Sequence, residues 1–260
     1  MPAALDLIVA IGMSAAAGLV GSIAVMRRMA LASDALSHVA LPGVALALLL
    51  RVSPFGGGLV ALVVGTFVVW ALEYRTRIPT EAVIGVLFSA ALAIGSLMAS
   101  GENLIDALFG ARGTSRGLDS ALALATASLV IVFMVRARSR LIIRLVSPDL
   151  AGALGVRVAQ LDLLYLLAFA LTVALGLRYL GVLLMGSLII IPATTAMYLA
   201  RDVRGMQVIA ISSAVASTLV GSALASRLNV PTGPVIIVVA TAIFLGALLR
   251  RRPRRSRQEG

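Results

Sequence analysis

The sequence predicts an all-α fold, a polytopic transmembrane helical bundle of about nine spans, with eight as the alternative. Three observations carry this. Of 260 residues, 60% are hydrophobic and 13% are charged, and the mean hydropathy is +1.07. A soluble domain is roughly half apolar and a quarter charged, so one soluble core cannot enclose this much apolar surface. The apolar stretches are continuous and about 20 residues long, as a membrane-crossing helix requires. They lack the period-two alternation of a β-barrel strand.

The spans fall at roughly 5–26, 33–50, 56–72, 82–100, 118–135, 159–177, 181–200, 206–226 and 234–250. The first has no basic n-region, and its apolar stretch is too long for a signal peptide, so it reads as a span. The second carries Asp34 and His38. The third is short and starts with Gly56, Gly57 and Gly58. A polar excursion, Gly101–Gly117, follows the fourth. There Glu102 and Asp106 form either an acidic vestibule or a surface network with Arg112 and Arg116. A short cytoplasmic helix is expected over 147–157, between the fifth and sixth spans. The domain reading is a transmembrane domain over 1–249 and a basic tail over 250–260.

Charge orients the bundle. All 22 basic residues are arginine. With the C-terminus inside, 17 of them lie in cytoplasmic segments and 5 in outer ones. The inner group comprises Arg27, Arg28, the arginines at 75, 77, 136, 138, 140, 144, 157, 201 and 204, and six in the tail. This asymmetry places the N-terminus outside and the C-terminus in the cytoplasm, with an odd number of spans. A re-entrant span would make the count eight and flip the N-terminus. The arginine-rich tail is expected to rest on anionic membrane lipid.

Several functions are excluded or disfavoured. There is no cysteine, so no disulfide framework, zinc knot or thiol nucleophile is available. With no lysine, a Walker A loop lacks the residue that holds the β/γ-phosphates, so any ATPase must be a separate chain. Aromatic content is 5%, against a base-stacking nucleic-acid surface. The reading is therefore not an enzyme and not a nucleic-acid binder.

Asp34 and the single histidine, His38, are four residues apart and share one helix face. An ionisable pair inside a membrane normally faces a cavity or a partner. A carboxylate oxygen with an imidazole nitrogen suits manganese, iron(II) or zinc. Two protein ligands make a weak site, which favours passage over storage. Ser33 and Ser37 add hydroxyls nearby. Pro42 removes the backbone bond to the His38 carbonyl. The alternatives are a structural hydrogen bond from His38 to Asp34 and a proton relay between them.

The run from Arg28 through Asp34-Ala-Leu-Ser-His38 to Leu41-Pro42-Gly43 resembles the zinc/manganese-type permease family of ABC transporters. Ser147–Val156, Gly181–Ala196 with its Ile191-Pro192-Ala193 ending, and the Leu228–Pro234 turn resemble later segments of that family, in the same order. One departure is Ser33, where the family has glycine. The resemblance implies a type II ABC importer-like permease and a homodimer of two permease copies. It also implies two copies of a cytoplasmic ATPase subunit and an external metal-binding solute-binding protein. It implies residence in the inner (plasma) membrane, no permanently bound cofactor, and a transported divalent metal: manganese, zinc or iron. Asp34 and His38 then match the family's transient pore ligands, with Ser33 and Ser37 as further candidates. The alternative function is a proton-coupled secondary carrier using Asp34 and His38 as a relay. A third class, an intramembrane Ser/His enzyme, lacks paired carboxylates and a full ligand set.

The 147–157 segment reads as helical from its own residues. Ser147 suits the N-cap, Pro148 the first helical position and Asp149 the positive dipole end. Gly155 is a left-handed stop. Leu150, Ala151 and Leu154 give one apolar face, and with Gly155 they form the expected ATPase-docking set.

Overall fold

The computed structural model describes residues 2–29, 32–76, 78–98, 117–179 and 182–250. Among them are ten helices: α1 (Pro2–Met26), α2 (Ala32–Leu49), α3 (Pro54–Thr76), α4 (Thr80–Met98), α5 (Gly117–Val146), α6 (Pro148–Ala153), α7 (Val158–Tyr179), α8 (Val182–Leu199), α9 (Val203–Leu228) and α10 (Thr232–Arg250). Seven are long and apolar enough to cross a membrane, and α2 and α8 contribute shorter apolar stretches, Asp34–Leu49 and Met185–Leu199. Each expected span thus coincides with a helix. The excursion carrying Glu102 and Asp106, and the tail beyond Arg250, lie outside the described residues.

The fifth helix differs from expectation. Its apolar run ends near Val135, yet α5 continues to Val146. Arginine is a good helix former, and Leu141 still packs into the core. Hydropathy marks where a helix leaves the membrane, not where it ends.

The bundle has two parts. α1 is largely enclosed, packing on α5, α7, α8 and α9, while α10 closes against α8 and α9. The second part is α2 with α3 and α4, joined to the first through α3 on α7 and α2 on α8. Tyr165 and Phe169 of α7 and Met13 and Ile23 of α1 are among the largest side chains fully buried between them. Apolar side chains on the outer faces of α3, α4 and α10 stay exposed, as on lipid-facing helices.

Small residues set the close crossing of α2 and α3. A side chain at Gly43 would collide with the carbonyl of Gly57, and one at Gly57 with the carbonyl of Gly43. Close backbone approach through glycine is a general device of membrane helix packing. Here it fixes the distance between α2, which bears Asp34, and α3.

Three helices end on a left-handed residue that is not glycine. α1 closes with Arg28 at φ +61. The N–H groups of Arg28 and Met29 donate to the carbonyls of Val25 (3.1 Å) and Ala24 (2.8 Å), the double bond of a Schellman end. Arg51 and Asn229 close α2 and α9 with the same sign of φ.

Candidate functional site

Asp34 lies in the first turn of α2, at the end where the arginine-rich connections gather. An acidic residue is favourable there, against the positive end of the helix dipole. Its side chain is 55% exposed in the single chain. It lines a cavity of about 310 Å³ with Ala32, Ala35, Glu81, Ile84, Gly85 and Phe88. One turn further, His38 is mostly enclosed, with its ring edge-on to Phe88 at 5.2 Å between centroids.

His38 Nε2 lies 4.0 Å from Asp34 Oδ1. That is too long for a hydrogen bond, so neither a structural hydrogen bond nor a direct proton relay joins the pair in this geometry. Metal bonds of about 2.0–2.2 Å to each donor span a gap of this order at a wide angle. His38 Nδ1 is buried without a hydrogen-bond partner. An orphaned buried polar atom costs about 1–3 kcal/mol, and a cation held between Nε2 and Asp34 does not relieve that cost, because Nδ1 points away from the pair. Among the described residues, no group of three or more His, Asp, Glu or Cys side chains converges. Asp34 and His38 thus bring two donors, one oxygen and one nitrogen, face to face.

Ser33 lies in the first turn of α2, and Ser37 is fully buried beside His38. Pro42 sits inside an unbroken α2. The Pro42-Gly43 pair therefore combines a missing backbone donor with the close α2–α3 crossing.

The segment after α5 folds as its residues dictate. Ser147 is extended at φ −156, ψ 115, and its hydroxyl accepts from the Leu150 N–H at 3.2 Å. Pro148 opens α6, and Gly155 sits at φ +75. The N–H groups of Gly155 and Val156 donate to the carbonyls of Gly152 (2.9 Å) and Ala151 (3.0 Å), again a Schellman end. The expected apolar face needs one correction. Leu150 and Leu154 are exposed, at 50% and 61%, whereas Ala151 is fully buried. In a helix of six residues the position after Leu150 turns back toward the bundle, so Ala151 anchors α6 and the two leucines stay on its outer face.

Two groups were not singled out from the sequence. Glu81, in the first turn of α4, shares the cavity with Asp34. It also lines a second cavity of about 410 Å³ with Arg27, Arg28, Glu73 and Arg144. Asp162, in the second turn of α7, is buried. It pairs with Arg27 of the α1 end and with Arg144 of α5, the latter at 2.9 Å. The signal for Asp162 was a carboxylate just inside an apolar run, on the side where unpaired arginines collect.

Comparison with known proteins bears on this arrangement. The profile of the ABC 3 transport family matches residues 3–251. The chain is 28% identical over 247 residues to a manganese transport system membrane protein, MntC, of Listeria monocytogenes, covering 94% of this chain and 88% of that one. It is 30% identical over 241 residues to the high-affinity zinc uptake system membrane protein ZnuB of Haemophilus influenzae, covering 89% and 90%. Its fold is similar to a chain of PsaBC from Streptococcus pneumoniae in complex with Fab, with a TM-score of 0.80, 25% identity, and coverage of 96% of this chain and 92% of that one.

Proposed function

The chain belongs to the ABC 3 transport family, as a multi-pass, non-catalytic permease subunit of a bacterial ABC import system, and we propose that Asp34 and His38 are the ligands its cargo meets in the membrane. The cargo is a divalent transition-metal cation: manganese or zinc first, iron third. The observation that carries this reading is the facing carboxylate oxygen and imidazole Nε2, 4.0 Å apart, inside an apolar helix.

Such a site works by ligand exchange. A hydrated cation loses part of its water to Asp34 oxygen and His38 nitrogen. The carboxylate supplies charge, and the imidazole favours a borderline ion over calcium or magnesium. With only two protein bonds, release toward the Glu81 side needs little energy. Ser33 and Ser37 are secondary candidates as ligands. No cofactor is retained.

An import system of this class works with an ATPase and a binding protein. The finer assembly is part of the proposal: two permease copies, two cytoplasmic ATPases and one external metal-binding protein in the plasma membrane. Leu150 and Leu154 enter the ATPase, the C-terminus is cytoplasmic, and the tail over 250–260 rests on lipid beside the permease domain of 1–249.

The test is uptake of Mn²⁺, Zn²⁺ and Fe²⁺, supplied one at a time, in cells lacking their own importers. Asp34→Asn and His38→Ala are each expected to lower uptake at least tenfold while the ATPase still co-purifies. Uptake near the wild-type rate in both variants would sink the site.

A further inference from the structure

Asp162 sits where three chain segments meet. Its side chain is 2% exposed and is held by Arg27 and Arg144, themselves 8% and 24% exposed. Both Nε and an Nη of Arg144 donate to the same carboxylate oxygen, at 3.1 and 2.9 Å. Arg27 also lies over the Tyr165 ring at 4.7 Å, and the Tyr165 hydroxyl donates to the Val20 carbonyl at 3.2 Å. Buried charges persist only when paired in good geometry, so the three side chains form one unit.

The position of this unit in the chain is informative. The Arg144–Asp162 pair is 18 residues apart in sequence and closes the loop that contains all of α6. The Arg27–Asp162 pair grips the last turn of α1, one residue before left-handed Arg28 and seven before Asp34. Two further contacts run the same way. The Trp70 indole N–H donates to the Ala159 carbonyl at 2.9 Å. Leu166, one turn beyond Asp162, is buried with Met29 and Ala32, and Ala35 packs against the same cluster. Ala32 and Ala35 flank Asp34 on α2. A continuous packed path thus leads from the docking segment, through the start of α7, to the residues on either side of the cargo ligand.

We propose that Asp162 is a positioning residue for coupling: held by Arg144 at the base of the α6 loop and by Arg27 at the end of α1, it transmits displacement of the ATPase-docking segment to the turn that places Asp34. The inference rests on the importer reading for the identity of the partner, and its test does not depend on which cation is carried. A push on α6 reaches α7 and α5 together because Arg144–Asp162 ties them. The α1–α2 turn follows because Arg27 is bound to the same carboxylate. Asparagine in place of Asp162 keeps the shape and removes the charge that holds both arginines.

The absence of cysteine from the chain permits a direct readout. Ala35→Cys places a thiol in the cavity beside Asp34. Its maleimide labelling rate is measured in the permease–ATPase complex, without nucleotide and after hydrolysis of ATP in the presence of vanadate, which traps ADP. Mn²⁺ uptake is measured in parallel. The nucleotide-dependent change in labelling is expected to fall at least tenfold when Asp162→Asn is added, with the ATPase still bound and hydrolysing. Asp162→Glu is expected to restore it to within about threefold. An undiminished change in Asp162→Asn overturns the proposal. Should Asp162→Asn fail to assemble, Arg144→Gln takes its place. Loss of the ATPase in both variants also overturns the proposal, since the cluster would then only shape the docking loop. If labelling responds as expected but the wild-type complex imports none of the three metals, the cargo assignment fails and the coupling role stands.

Discussion

At Gly43 and Gly57 the main chains of α2 and α3 approach so closely that each position excludes a side chain on the other. Forcing extra atoms into a packed contact costs about 1–3 kcal/mol, and more where backbone is the obstacle. Gly43→Leu is therefore expected to lower the melting temperature of the detergent-solubilised protein clearly. Gly85→Ala, where nothing lies within 4 Å of the new carbon, is expected to leave it unchanged or raise it slightly. Thermal unfolding followed by tryptophan fluorescence checks both, and equal melting temperatures would remove the crossing from the account. The facing of Asp34 and His38, the proposed cargo ligands, was legible in the sequence because an Asp and a His four apart in an apolar run must share a face. Asp162 was not, because its meaning depends on Arg27 and Arg144, which reach it from 135 and 18 residues away. Spacing rules operate along one helix and do not register a partner carried by another.

Among the elements, α6 shows where local chemistry suffices and where it stops. Ser147, Pro148 and Gly155 mark its ends by capping and backbone conformation alone, and the structure follows them. Its outward face was only half legible. Leu150, Ala151 and Leu154 are all apolar, and nothing local says that Ala151 turns inward against the bundle. Replacing both Leu150 and Leu154 with Asp is expected to leave the fold intact and weaken ATPase binding more than tenfold, if the pair costs at least about 1.4 kcal/mol. A carboxylate brought into an apolar groove loses water without gaining a partner. Gly152→Ala has open space around it and is expected to bind as the wild type does. Co-purification of the ATPase measures both variants against the wild type. Full retention in the double variant would move the contact elsewhere on the cytoplasmic face.

For the whole molecule, orientation follows from charge and helix count together. Hydrophobic runs located each expected span, but only their number and the arginine distribution say which end faces the cytoplasm. With nine crossings the connections α1–α2, α3–α4, α5–α7 and α8–α9 share one side, and α2–α3 and α9–α10 lie on the other. The first group holds Arg27, Arg28, Arg75, Arg144, Arg157, Arg201 and Arg204. The positive-inside rule predicts a cytoplasmic place for that group, which is the orientation proposed above, with α6 on the side of the ATPase. A eight-span arrangement would separate these connections and place part of the basic set outside. Single cysteines introduced into this cysteine-free chain test the arrangement directly. Ser53→Cys and Ser226→Cys, both exposed near the ends of the outer connections, are expected to react with a membrane-impermeant maleimide in intact spheroplasts. Thr76→Cys and Gly152→Cys, exposed on the other side, are expected to react only after permeabilisation. Labelling of Gly152→Cys from outside would overturn the orientation. It would also remove the docking role of α6, because no cytoplasmic ATPase reaches a helix on the outer face.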